Sequence, residues 1–366
     1  MVAPLERITT LPRVTTLPRT QRLQRTQRPG AAFVFVSFVS FVSFVDVACG
    51  HTGDARDRHV RIAIGGQTQM IYLPTTLAQE LGYYREEGID VELQDFAGGA
   101  KALQALVGGS ADVVSGFYDH TIQMAAEGRE FVSFVTMLRF PGMVLATSPQ
   151  SAGTVTKIED LKGRIVGVTS AGSSSQMLLA YVLLRHGVAA DAVSVTAIGT
   201  AATAVAAMEY GKVDAGVMAD PSFTLVARRN PAVRVLADTR TAAGVKEALG
   251  TDTYPASVLY STGDWLRANR DTAERLARVI TRTLRWMQSH TPQEIAEKAP
   301  RPFRGEDDAL YVEALAASMP MFSPDGIMTR EGAEVVRTLL AGSLEKVRTA
   351  TIDVSKTYTN EFIHGR

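Results

Sequence analysis

Ser170-Ala171-Gly172-Ser173-Ser174-Ser175 stands between an apolar strand, Arg164–Thr169, and an apolar helix, Met177–His186. Several hydroxyls and a glycine at a helix N-terminus supply side-chain and backbone donors for an oxyanion or other polar group. A plain N-cap, worth about 1 kcal/mol, is the alternative. One serine suffices for a cap, so four point to ligand contact. Gly98-Gly99 also follows a strand and opens a helix, and it serves equally as a ligand loop or a tight turn. Gln67, Gln69 and Tyr72 form a polar cluster in a third strand-to-helix loop. Phe117-Tyr118 follows strand Ala111–Val114 at its C-terminal end, and in an open parallel sheet ligands bind outside such ends. His120, just beyond, reads as a helix-start residue, with ligand contact as the alternative. These residues carry binding chemistry: donors, backbone and aromatic surface.

The patterns that announce catalysis are missing. Gly211-Lys212 lacks the upstream glycine and following hydroxyl of a P-loop, and no strand runs into GxGxxG. Ser170 lies three residues after Gly167, so the nucleophile elbow GxSxG fails. The six histidines (51, 59, 120, 186, 290, 364) form no i,i+4 pair. With the single Cys49 they exclude an intramolecular disulfide and a cysteine zinc site. No cofactor and no metal are expected. The methionines, such as Met137 and Met208, fall on apolar faces and read as core.

The stretch 61–114 positions the first loops. Strand Ile62–Ile64 runs into Gly65-Gly66, and Pro74 opens a helix with Leu77, Leu81 and Tyr84 that Gly88 stops. Strand Ile89–Leu93, Gly98-Gly99, a helix and strand Ala111–Val114 follow. This is the grammar of a parallel sheet covered by helices. Helix Thr121–Glu127 and strands Phe131–Met137 and Met143–Thr147 continue it. The pattern restarts at Ile158, with strands Val193–Ala197, Ala215–Met218 and Val233–Leu236 and helix Ala201–Tyr210. A strand within Thr251–Tyr260 carries the chain back, and everything after Thr262 reads as helical.

The chain has 366 residues, 46% hydrophobic and 21% charged, which suits two domains. Lys+Arg and Asp+Glu both total 38. Residues 1–50 hold six Arg and two acids, leaving 32 basic and 36 acidic residues in 51–366. A mildly acidic body without a basic stripe gives no footprint for nucleic acid. Residues 1–28 are Arg-rich and repeat TTLPR, and Ala31–Val45 is an apolar run. Basic then apolar is an export-signal pattern, short for a membrane span. Two processing routes remain open: lipidation at Cys49, against which Asp46 replaces the customary aliphatic residue, or cleavage after Gly50. An uncleaved anchor or a misplaced start codon is the bland alternative. The expected division is a signal over 1–50, a tether over 51–59, a first lobe over 60–147, a second over 148–250, and a return to the first lobe with C-terminal helices over 251–366.

Three runs carry a resemblance: Gly82–Leu93 (GYYREEGIDVEL), Phe96–Ala100 (FAGGA) and Gly109–Gly116 (GSADVVSG). With Lys157–Ser175 and Met208–Pro221 they make residues 60–290 similar to the periplasmic binding proteins of ABC importers. The closer resemblance is to the branch for aliphatic sulfonates, taurine, nitrate or thiamine-precursor pyrimidines. It implies an α/β, two-lobe (type II) fold with ligand in the cleft, closed by hinge bending and docked on a membrane permease. By that resemblance Gln67, Tyr72, Gly98, Gly99, Phe117 and Tyr118 line the first lobe. Ser170, Gly172, Ser173, Ser174, Asp220 and Tyr254 come from the second lobe and the crossover. None of these positions is Arg or Lys, so an anion would rely on N–H and hydroxyl donors, while Asp220 would suit a cationic or donor group. The expected function is an exported, monomeric solute receptor for an ABC permease, periplasmic or cell-surface, without catalysis. The alternative is an enzyme on the same fold, such as a thiamine-pyrimidine synthesis protein.

Overall fold

The computed structural model describes residues 58–363. The signal, Cys49 and nearly all of the tether lie outside the described residues. Along the chain the elements begin β1 (His59–Ile64), α1 (Leu73–Glu80), α2 (Tyr83–Glu86), β2 (Asp90–Asp95), α3 (Gly99–Val107), β3 (Val113–Phe117), α4 (Asp119–Ala126), β4 (Phe131–Thr136) and β5 (Met143–Thr147). Then come β6 (Ile165–Val168), α5 (Ser174–Arg185), β7 (Ser194–Ala197), α6 (Ala201–Glu209), β8 (Ala215–Ala219), α7 (Ser222–Arg229), β9 (Val235–Asp238), α8 (Ala242–Leu249) and β10 (Ser257–Thr262). The remainder is helical: α9 (Gly263–Ala268), α10 (Arg270–Gln288), α11 (Pro292–Lys298), α12 (Arg301–Arg304), α13 (Asp308–Ser318), α14 (Arg330–Ser343) and α15 (Glu345–Thr349).

Two five-stranded sheets form, ordered β2-β1-β3-β10-β4 and β7-β6-β8-β5-β9. In the first, β1 runs parallel to β2 and β3, with Ile62 opposite both Leu93 and Val113. The pattern in 61–114 forms as the βαβ reading requires. Neither sheet is wholly parallel, however. Strand β10 pairs antiparallel with β3 and β4, and β5 pairs antiparallel with β8 and β9. Each of these strands arrives from the other half of the chain, which reverses its direction. Because β5 belongs to the second sheet, the crossing precedes Met143, earlier than the sequence boundary at 148.

Local departures have local causes. The helix read from Pro74 through Tyr84 is two helices, because Gly82 adopts a left-handed φ of 78° between them. Helices α7 and α8 escape the sequence reading, being eight-residue pieces between strands. Helix α10 buries Leu276, Ile280, Leu284 and Met287 and packs on α1, so the C-terminal helices complete the first half. Helix α14 touches both α4 and α5 and so spans the two halves.

Gly65 is required by packing within the first half. A Cβ there would lie 2.4 Å from the Gly99 backbone nitrogen. Gly65→Ala should therefore destabilise the protein by about 1–3 kcal/mol, the usual cost of overpacking, measured by urea unfolding.

Candidate functional site

The loops that leave the C-terminal ends of the parallel strands in one sheet meet their counterparts from the other. From the first half come the Gly65–Gln69 turn after β1, Gly98-Gly99 after β2 and Asp119-His120 after β3. From the second come Thr169–Ser175 after β6, Thr200 after β7 and Asp220 after β8. They touch directly. Met70 N donates to the Asp220 carbonyl at 2.8 Å, and Ser174 Oγ donates to Asp119 Oδ1 at 2.8 Å. A Cβ on Gly98, whose φ is 147°, would lie 2.7 Å from Ser170 Oγ; one on Gly66 would lie 2.8 Å from Thr200 Cγ2. Glycine is needed at 98 for backbone angle and close approach together.

Asp119 and His120 occupy the centre, 2% and 0% exposed. His120 Nδ1 lies 3.3 Å from Tyr260 Oη, with the rings edge to face. Burial pushes the Asp119 carboxyl up, while His120 and the Ser174 bond pull it down. Burial pushes the His120 imidazole down, against Asp119 and the Gly172 backbone, which raise it. Tyr72, Tyr254 and Tyr260 are fully buried, and burial raises their phenols first; Asp119 comes next for Tyr72 and Tyr254, and Tyr72 and then Asp119 for Tyr260. Asp119 Oδ2, His120 Nε2 and Ser170 Oγ are buried without a hydrogen-bond partner. Most buried polar groups are paired, so three orphans at one junction demand an explanation.

The sequence-predicted residues divide. Tyr72, Gly98, Gly99, Ser170, Gly172, Ser174 and Tyr254 gather around this centre. A Cβ at Gly99 would sit 3.1 Å from His120 Cε1 and 3.7 Å from Tyr72 Oη. Phe117 lies inside β3, buried edge-on against Tyr72 at 6.2 Å, where it backs the site. Ser173 is spent on the loop itself, donating to the Ser170 carbonyl at 2.7 Å and lying 2.8 Å from Ser175 Oγ. Gln67 is half-buried, its backbone N–H bonded to Asp95 Oδ1 at 2.7 Å. Its neighbour Gln69 shapes the turn by donating to the Gly65 carbonyl at 2.8 Å.

Two expectations need correcting. Tyr118 directs its hydroxyl to Thr357 Oγ1 at 2.5 Å and packs edge-on against Tyr358, so it anchors the C-terminal segment. Asp220, 1% exposed, has no capacity left for a ligand cation. Its Oδ1 accepts from Thr224 N and Oγ1, at 3.1 and 2.7 Å. Its Oδ2 accepts from Arg240 Nη1 at 2.9 Å and Ser318 Oγ at 3.1 Å. The residues that sequence reasoning missed are Asp119 and Tyr260. Asp119 had a signal, an acid at a strand's C-terminal end; Tyr260 is one apolar-looking position within β10.

A groove of about 640 Å³ begins at Thr68, Ala201 and Pro221 in these loops and runs out past Arg228, Arg229 and Arg304. Among the described residues, no cluster of three His, Cys, Asp or Glu could hold a metal, and no helix is long and apolar enough to cross a membrane.

Residues 69–295 match the family model described as NMT1/THI5 like. A protein of Bordetella bronchiseptica RB50 with a solved structure is 37% identical, covering 84% of this chain and 96% of that one, with a TM-score of 0.79. The alkanesulfonate-binding protein SsuA of Xanthomonas axonopodis pv. citri, bound to MOPS, has a TM-score of 0.67 at 18% identity, covering 83% and 98% of the two chains. It shares the fold: α/β, with two sheets and helices of the periplasmic-binding-protein kind. The putative binding protein YtlA of Bacillus subtilis (strain 168) is 21% identical over 287 residues, 76% of this chain and 82% of that one. SsuA and YtlA both carry binding-protein names, that of YtlA as a putative one.

Asp220→Ala should cost about 2–4 kcal/mol of stability in urea unfolding, because it strips partners from Thr224, Ser318 and a buried guanidinium that keeps Asp238 and the Phe223 ring. For His120 the folded value lies below the ordinary 6.5, so the unfolded chain takes up that proton first. Its stabilisation is present above pH 6.5 and lost as pH falls through the folded value. Asp119, raised, acts in the opposite sense: its contribution is present below 3.8 and lost as pH rises through its folded value. His120→Gln should shrink the stability loss between about pH 7.5 and 5.5, followed by the urea midpoint at each pH.

Proposed function

The chain belongs to the NMT1/THI5-like family, and on that premise we propose that it is an extracytoplasmic solute receptor handing a small polar or anionic organic molecule to an ABC-type import permease. One observation carries the reading. Two sets of strand-end loops, the usual ligand side of open α/β sheets, face each other around the unpaired polar atoms of Asp119, His120 and Ser170. A ligand placed there would touch both halves and favour their closure, the differential contact that a receptor needs to signal occupancy. The two crossings, before β5 and before β10, serve as the hinge, and the lobes are the two sheets with their helices. The receptor acts as a monomer, without a cofactor. The Arg-rich and apolar segment 1–50 supports export to the periplasm or cell surface, with Cys49 as the lipid acceptor if the mature chain is anchored.

The reading is tested by thermal shift of the purified protein against sulfonates, nitrate, pyrimidines, aromatic acids and amino acids. A true ligand at a hundredfold excess over Kd adds about 2.7 kcal/mol of apparent stability. Ser170→Ala, which removes an unpaired hydroxyl at the junction, should weaken that shift. Tyr118→Phe, which touches only the C-terminal anchor, should preserve it. Stabilisation by a nucleotide-like cofactor and by nothing else would overturn the receptor reading in favour of an enzyme.

A further inference from the structure

We propose that the ligand is held at the lobe junction by a hydrogen-bond-donating cationic head, such as an amidinium or ammonium on a flat ring, bound to Asp119 Oδ2. The inference rests on the receptor reading and narrows its ligand class. Asp119 is 2% exposed, and only one of its oxygens is engaged, by Ser174. A buried carboxylate with an idle oxygen is costly, and a donor cation offsets that cost. The charges around it agree in sign. Tyr72, Tyr254 and Tyr260 all sense the negative charge of Asp119, and no Lys or Arg perturbs any of them. Among the described residues the only cation acting on Asp119 itself is His120, which burial disfavours in its charged form.

An oxyanion at this point would be repelled by the ionised form of Asp119, which burial already disfavours, whereas a donor cation would hold Asp119 in that form. The neighbouring cations are engaged in ion pairs with acids, and Arg304 Nε alone among their nitrogens is buried in the groove without a partner. Arg240 is taken by Asp220 and Asp238. In the adjoining groove Arg228 is paired with Glu313, Arg229 with Glu209 at 3.5 Å and Arg304 with Asp308 at 3.3 Å. Tyr72, Tyr254 and Tyr260 are buried close enough to feel the Asp119 charge, and aromatic rings favour a flat cation over a tetrahedral anion. Ser170 Oγ, unpaired, remains for a polar group elsewhere on the ligand, and His120 Nε2 lies beside the Gly172 backbone, which raises its basicity.

The test compares two probes with the same ring and opposite charge, benzamidine and benzenesulfonate, by calorimetric titration of the purified wild-type protein, with nitrate alongside. Benzamidine should bind and the two anions should not. Asp119→Asn, checked for folding by circular dichroism, should weaken benzamidine by about 30-fold or more, as expected when one partner of a buried charge pair is removed. If Asp119→Asn does not fold, the wild-type discrimination decides by itself. Binding of benzenesulfonate or nitrate without benzamidine, or equal binding of both charges, overturns the cationic-head inference and leaves the receptor reading standing. Failure of every probe here and of the whole ligand panel overturns both.

Discussion

Each sheet is completed by a strand that the other half of the chain delivers. Four strands of the first sheet point one way, and β10, returning from the second half, is wedged among them between β3 and β4. Strand β5 does the same between β8 and β9. Removing either strand would leave two neighbours without a ladder partner in the middle of a buried sheet, where every backbone N–H and C=O must be paired. The exchange ties the halves together twice and turns the ligand-side edges of both sheets toward one another. The faces at that junction are therefore set by topology before any side chain acts.

Given that geometry, the polar residues sort by whether the fold consumes them. Asp220 is consumed entirely. Four donors converge on it, and Arg240, only 12% exposed, sits between it and Asp238. The loop after β8 is thereby fixed, and its carbonyl receives Met70 N from the first half. Ser173 and Ser175 are consumed in bracing the loop after β6, together with Thr169. Asp119, His120 and Ser170 are not consumed. They keep lone pairs or protons in a region where desolvation shifts both titratable groups toward their neutral forms. Stability alone would have selected apolar residues for those positions, which is why the leftover capacity points to ligand recognition.

The same cluster shows how the two sets of loops are held against each other. Ser174 reaches across to Asp119, and the Gly98 and Ser170 loops are in contact. These are few and small interactions, and the hydroxyl–carboxylate bond can be exchanged for one to a ligand donor at little net cost. Equilibria with that balance are the ones a ligand can bias through differential contacts.

How much of this was legible in the sequence depended on range. Glycines closing strands and opening helices, the apolar runs of β1, β3 and β6, and the small-residue loops after them follow from local chemistry. They placed Gly98, Gly99, Ser170, Gly172 and Ser174 at strand ends, and the motifs in 60–290 gave the family. What the sequence could not rank was which polar side chain is left over once the chain folds. Asp220 and Asp119 are both acids at strand C-terminal ends. One is saturated by Thr224, Arg240 and Ser318 and the other retains a free oxygen, a difference made by partners as far as 98 residues away. Tyr118 looked like cleft aromatic surface until Thr357, 239 positions on, took its hydroxyl. The reversed directions of β5 and β10 likewise come from which half delivers them. Local periodicity determined the elements and their loops; non-local hydrogen bonding and desolvation, which exist only in the folded chain, decided which residues remain free to bind.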